Sequence, residues 1–117
     1  MTAKLIVAGG RDFIDTTRGF KTLDKLTANL KDIEVVCGEA RGADTVGKLW
    51  AESKGYPVKS FPADWDKYGK AAGHVRNSEM ANYGTHLIAF WDGSSRGTKN
   101  MIESAKKKGL LVRVVRY

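Results

Sequence analysis

The chain has 117 residues, 42% hydrophobic and 28% charged, an ordinary balance for a globular protein and enough to bury a core without disulfide or metal staples. Its 20 Lys and Arg against 13 Asp and Glu leave a formal charge of +7, which admits a small anion in an arginine-lined cleft or nucleic acid along a broad basic surface. The single cysteine, Cys37, excludes an internal disulfide, and no apolar run approaches the roughly 18–20 residues of a membrane span.

The first apolar run, Leu5-Ile6-Val7-Ala8, reads as a buried strand before a glycine pair. No signal-peptide pattern precedes it, so a cytoplasmic protein is expected, with no membrane partner. Residues 16–30 then place Phe20, Leu23, Leu26 and Leu30 near helical spacing. Ile33–Cys37 is a second strand. Residues 43–54 are a helix with Val46, Leu49 and Trp50 on one face. Val58–Phe61 is a third strand, followed by an irregular stretch from Pro62 to Ala72. Residues 73–83 look helical with a weak period. His86–Phe90 is a fourth strand, residues 97–108 a helix with Met101, Ile102 and Ala105 inward, and Leu111–Val115 a fifth strand. Strand alternates with helix throughout, without internal repeats or linkers. That predicts one Rossmann-like three-layer α/β/α domain over residues 1–117, with a mostly parallel five-stranded sheet.

Three loops repeat one design: an apolar strand, glycine, arginine, then a helix start. They are Gly9-Gly10-Arg11-Asp12-Phe13, Gly38-Glu39-Ala40-Arg41-Gly42-Ala43-Asp44 and Asp92-Gly93-Ser94-Ser95-Arg96-Gly97-Thr98. Glycine permits tight turns and close approach, helix starts offer unpaired N–H groups to an anion, and arginine grips phosphate with a planar fork. All three loops follow strands, so all lie at the carboxyl edge of the sheet. With strand order 3-2-1-4-5, the first and third loops flank the crevice where the order reverses. Each glycine also has a plainer reading, that it merely shortens a βα turn. Arg76 and Asn77, near another helix start, are expected to face the same crevice. Asp44 is expected to act as a helix cap.

Between the third strand and that helix, Asp64 and Asp66 bracket Trp65, with Tyr68 close by. Trp65 or Tyr68 can stack on a base while Asp64 bonds a ribose or amine, or Trp65 can simply pin a long loop. Gly42–Lys48 matches seven positions of a Walker A pattern, but Leu49 stands where magnesium needs Ser or Thr, and the segment reads as helix. No metal site is visible. His74 and His86 stand alone, and Cys37 reads as a small buried hydrophobe. No cofactor is expected.

The segments GGRDF, GEARGAD, FPADWDKYGKAAGHVRN and AFWDGSSRGTKNMI together resemble the YspA-type branch of the SLOG superfamily, from Leu5 to about Val112. That superfamily relates DNA-processing protein A to the lonely-guy phosphoribohydrolases. The resemblance implies a Rossmann-like domain that binds a nucleotide-derived ligand in the crevice, with a homo-oligomer as a further expectation. Arg76–Met80 is similar to the lonely-guy R-K-x-x-M helix, and Asp92–Thr98 to its glycine-rich loop. The catalytic glutamate of those enzymes falls at Met101, which cannot act as a carboxylate. Three readings stay open. The first is a sensor or sequestering protein, with phosphate held by Gly9, Gly10, Arg11, Arg41, Gly42, Arg76, Asn77, Gly93, Ser94, Ser95, Arg96, Gly97 and Thr98. The second is a nucleotide N-glycosidase using Asp64 or Asp66. The third is single-stranded DNA binding.

Overall fold

The computed structural model describes residues 2–117. Five strands, β1 (Ala3–Gly9), β2 (Ile33–Cys37), β3 (Val58–Ser60), β4 (His86–Trp91) and β5 (Leu111–Arg116), alternate with helices. The helices are α1 (Thr16–Leu26), α2 (Ala43–Lys54), the short α3 (Trp65–Tyr68), α4 (Ala72–Tyr83) and α5 (Arg96–Lys107). The sheet order is β3-β2-β1-β4-β5 and every pairing is parallel. The expected order and Rossmann-like α/β fold are therefore present. Parallel neighbours require crossovers, and the helices supply them.

Alternate residues of β1 divide the core. Leu5 and Val7 face α1 and α2, packing with Leu23, Val46 and Trp50. Ile6 and Ala8 face α4 and α5, packing with Met80, Leu87, Met101 and Ile102. Burial of the sheet on both faces explains why β1 and β4 read as unbroken apolar runs. Trp50 is fully buried; its indole N–H donates to Asp24 at 3.0 Å, and Lys54 pairs with the same carboxylate at 2.9 Å. Those bonds clamp α1 to α2 and hold the Asp24 carboxyl below the usual carboxylate range, the Lys54 contact most strongly.

Three expectations need correction. The first helix ends at Leu26, because the Thr27 hydroxyl turns back to the Leu23 carbonyl at 2.6 Å and Leu30 donates to the Thr27 carbonyl at 2.9 Å. Leu30 still packs on the core from this turn, which is why its spacing looked helical. On α2, Leu49 points outward at 44% exposure, and Ala43, Gly47 and Ala51 accompany Val46 and Trp50 inward. The segment from Pro62 to Ala72 is not irregular: it holds α3 and a single tight turn at Gly69–Ala71. Asp64 starts α3 by accepting from the Lys67 amide at 3.0 Å.

Close packing of α2 on β1 depends on Gly47, where an added Cβ would stand 2.6 Å from Val7 Cβ and Cγ1. Alanine is the better helix former by about 1 kcal/mol. Overpacking nonetheless costs about 1–3 kcal/mol, so Gly47→Ala is expected to lower the urea midpoint of unfolding. A raised midpoint would show that α2 does not press on β1.

Candidate functional site

The carboxyl edge of the sheet is organised by the backbone of Gly10. Its N–H donates to the Phe90 carbonyl at the end of β4 (3.1 Å), and its carbonyl accepts from Phe13 (3.2 Å) and from Ala43 at the start of α2 (3.1 Å). The neighbouring glycines make this approach sterically feasible. At Gly42 the backbone is left-handed (φ 77°), and a Cβ would lie 2.3 Å from the Gly10 carbonyl. At Gly9 a Cβ would lie 2.3 Å from the Phe90 carbonyl, and at Gly10 it would overlap the Tyr117 hydroxyl. Phe13 stacks on Phe90 with centroids 4.3 Å apart and closes the floor of the loop.

Over this edge lies a cleft of about 520 Å³, within the roughly 300–1,000 Å³ typical of small-molecule sites. Of the residues singled out from sequence, Gly9, Gly10, Arg11, Trp65, Arg76, Asn77, Ser95, Gly97 and Thr98 line it. Arg41 lines an adjoining cavity instead. Gly42, Asp64, Asp66, Tyr68, Gly93, Ser94 and Arg96 line neither. The cleft adds Asp12, Asp44, Lys70, Gly73, His74, Met80, Asp92 and Met101. Helical spacing on α4 was the available signal for some of these, since Gly73, Asn77 and Met80 fall on one face. Met101 is buried beneath the cleft at 1% exposure.

The side chains around the cleft divide into anchored and free. Arg76 donates through Nη1 to the Gly38 carbonyl and through Nε to Asn77 Oδ1 (3.1 Å). Asn77 in turn donates to the Gly97 carbonyl (3.3 Å) and to Asn100 (2.9 Å), tying α4 to the start of α5. Arg11, Lys70 and His74 are exposed. In the third loop Asp92 Oδ1 accepts from the amides of Ser94 and Ser95, both at 2.8 Å, which holds its carboxyl below the ordinary range. The amides of Ser94 and Ser95 are thus already used within the loop. Gly93 (φ 90°) has its Cβ space filled by the Arg116 guanidinium. The open part of that loop is Gly97, next to which no atom would meet a Cβ; Thr98, the third residue of α5, is buried and its amide donates to Ser95 Oγ at 3.4 Å. Ser95 caps α5, its hydroxyl lying 3.0 Å from that of Thr98. Trp65, 57% exposed, stands at the rim with its ring 3.9 Å from the Cβ position of Gly73.

Comparison with known proteins agrees with the fold. The family model of the YspA, cpYpsA-related SLOG family matches residues 3–68, which include the first two glycine loops and α3. The chain is also 35% identical over 116 residues to the Gene 61 protein of Mycobacterium phage D29, with 93% of each chain covered. The chain belongs to the YspA, cpYpsA-related SLOG family. The X-ray structure of DNA processing protein A (DprA) from Streptococcus pneumoniae superposes on this SLOG chain with a TM-score of 0.75 at 21% identity. That match covers 97% of this chain and 50% of DprA, so the chain spans half that protein's length and the likeness is one of fold. Among the described residues no cluster of His, Cys, Asp and Glu could hold a metal ion, and no helix is long and apolar enough to cross a membrane.

Asp44 corrects an expectation about this SLOG site. It does not cap α2, whose N-cap is Gly42. Its Oδ2 accepts from the amides of Gly38 (3.1 Å) and Ala40 (3.2 Å), bracing the second loop from within. It is 5% exposed, and burial raises its pKa despite those bonds and the nearby Arg76 charge. A carboxyl whose folded pKa exceeds its unfolded value binds its proton more tightly when folded. Ionisation therefore destabilises the fold as pH rises from about 3.8 through the folded pKa. Asparagine keeps an acceptor for the two amides without a charge. The melting temperature of Asp44→Asn, less that of the wild type, is expected to increase with pH across this interval and then level off. A difference that decreases with pH would show that ionised Asp44 is favoured by the fold.

Proposed function

We propose that the cleft binds a nucleotide or nucleotide-derived phosphorylated ligand, and that the protein acts as a sensor or sequestering module. The observation that carries this reading is the convergence, in one ligand-sized cleft, of exposed Arg11, the open start of α5 at Gly97, and exposed Trp65. A phosphate over Gly97 would meet the Arg96 and Gly97 amides, which the Ser95 cap leaves over, and the positive end of the α5 dipole. Arg11 would supply a charge-assisted contact from the opposite loop. Trp65 offers a face on which a base can stack.

A hydrolytic role has weaker support. General acid–base catalysis needs a carboxyl within reach of the reacting atom. Asp12, Asp44 and Asp92 line the cleft, and each already accepts a hydrogen bond, from Tyr117, from two amides of the second loop and from two of the third. Asp64 and Asp66 lie outside the lining. Single-strand DNA binding is favoured by the DprA-like fold and the net charge of +7, and has its own signature in a steep salt dependence.

The test is a thermal-shift titration with AMP, followed by chromatography of the nucleotide. Ligand at about 100 times its dissociation constant stabilises by roughly 2.7 kcal/mol. The expected result is a shift with AMP recovered intact. Release of free adenine would establish the hydrolase instead, and salt-sensitive binding of single-stranded DNA without AMP binding would favour the third reading. Arg11→Ala is expected to weaken AMP by about 1.5–3 kcal/mol through loss of charge-assisted bonds. Gly97→Val should fold, since its side chain enters open space, yet fill the phosphate position and abolish the shift. Unchanged affinity in both variants would remove phosphate from this cleft.

A further inference from the structure

Arg11 and Asp12 are neighbours in the first loop, and both line the cleft. A guanidinium and a carboxylate on adjacent side chains can neutralise one another. Here they do not. Arg11 takes part in neither of the two ion pairs among the described residues, and its side chain is exposed. The Asp12 carboxylate is held elsewhere: its Oδ1 accepts from the Tyr117 hydroxyl and lies 2.8 Å from the Cβ position of Gly10. The carboxylate is thus folded back over Gly10, and the Tyr117 hydroxyl fills the space that a side chain at Gly10 would need.

Tyr117 reaches this place from a rigid frame. It follows β5, and its amide donates to the Trp91 carbonyl at the end of β4 (3.4 Å). Its ring leans on Phe13 with centroids 5.0 Å apart. The residue before it is fixed on two sides. The Arg116 carbonyl accepts from Arg18 Nη2 of α1 (2.8 Å), while the Arg116 guanidinium donates to the Asp92 carbonyl (3.2 Å) and lies over the Trp91 ring. Packing on Phe13 needs only the Tyr117 ring; the hydroxyl's hydrogen bond goes to Asp12. Burial, and then the Asp12 contact, pushes the phenol up, so the hydroxyl keeps its proton. A carboxylate offers only acceptors, so the bond requires that proton.

Resting on the nucleotide reading of the cleft, we propose that Tyr117 is a positioning residue for the anion: by holding Asp12 back over Gly10, it leaves the Arg11 guanidinium free for phosphate. Calorimetric titration with AMP of the wild type, Tyr117→Phe, Asp12→Asn and the double variant tests this. Tyr117→Phe keeps the ring, releases Asp12 toward Arg11, and is expected to weaken AMP about tenfold. Asp12→Asn removes the competing charge and should bind AMP at least as tightly as the wild type. The double variant should match Asp12→Asn, because no carboxylate remains for the hydroxyl to hold. A hydroxyl that merely supported the loop would be missed equally in both backgrounds. A loss that persists in the double variant therefore overturns the inference, as does wild-type affinity in Tyr117→Phe. The Arg11 Nε–H resonance of the ligand-free protein gives a second readout that needs no nucleotide. It should move in Tyr117→Phe and return, in the double variant, to its position in Asp12→Asn. A resonance that Tyr117→Phe leaves in place also overturns the inference. If the resonance responds as expected while AMP fails to bind the wild type, the control of Arg11 by Tyr117 stands and the nucleotide reading alone falls.

Discussion

The edge of this sheet depends on how closely three stretches of backbone approach one another at Gly10. One residue joins β4, α2 and its own turn through three backbone hydrogen bonds. The approach requires the absence of side chains at Gly9 and Gly42, where a Cβ would lie 2.3 Å from a carbonyl oxygen. Every later feature of the cleft inherits its position from this junction. The second loop can hang over β1 only because α2 begins against Gly10. Asp44 can brace that loop from below only because α2 begins there. Buried amides need partners, and Asp44 supplies them to Gly38 and Ala40 at the expense of a carboxyl buried near Arg76.

The same economy sorts the charges. The carboxylates around the cleft are directed into the protein's own hydroxyl and amide donors: Asp12 to Tyr117, Asp44 to the second loop, Asp92 to the third. Burial, with the Asp12 contact next, raises the Tyr117 pKa and keeps the hydroxyl a donor. Arg76 is spent partly on the Gly38 carbonyl, but guanidinium has five N–H groups, so anchoring does not exhaust it. Arg11, Lys70 and His74 remain exposed around a cleft whose acids are engaged.

Much of the fold was legible because its elements announce themselves locally. Continuous apolar runs at β1 and β4, helical spacing on α5, and strict alternation of strand and helix specify a parallel sheet, and sheet order then places three loops together. The site was less legible because one residue type served several ends. The Asp-Gly-Ser-Ser run reads as a phosphate cradle, yet Asp92 uses the two amides a phosphate would want. Asp64 reads as a ribose or acid–base carboxylate, and in the fold it starts α3. Lys70 and Asp92 enter the cleft through tertiary placement of short turns, and no periodicity in the chain encodes that. Leu49 misled for the opposite reason: hydrophobic and at a plausible spacing, it sits just outside a face narrowed by Ala43, Gly47 and Ala51.

Repeated glycines at a ligand-facing edge thus have two separable causes. Where a Cβ would strike the protein, as at Gly9, Gly10, Gly38, Gly42 and Gly93, the glycine exists so that chain or side chain can close on itself. Where a Cβ would meet nothing, as at Gly97, packing places no demand, and what the missing side chain preserves is space in the cleft. The first class builds the site and the second leaves it open. The two classes should therefore respond differently to substitution. A side chain at Gly9, Gly10 or Gly42 perturbs stability, because the junction at Gly10 must move to admit it. A side chain at Gly97 leaves the fold intact, and on the proposed reading it perturbs affinity alone. It is that separation, rather than the presence of a glycine–arginine motif, that distinguishes the proposed phosphate position at the start of α5 from the packed glycines around it.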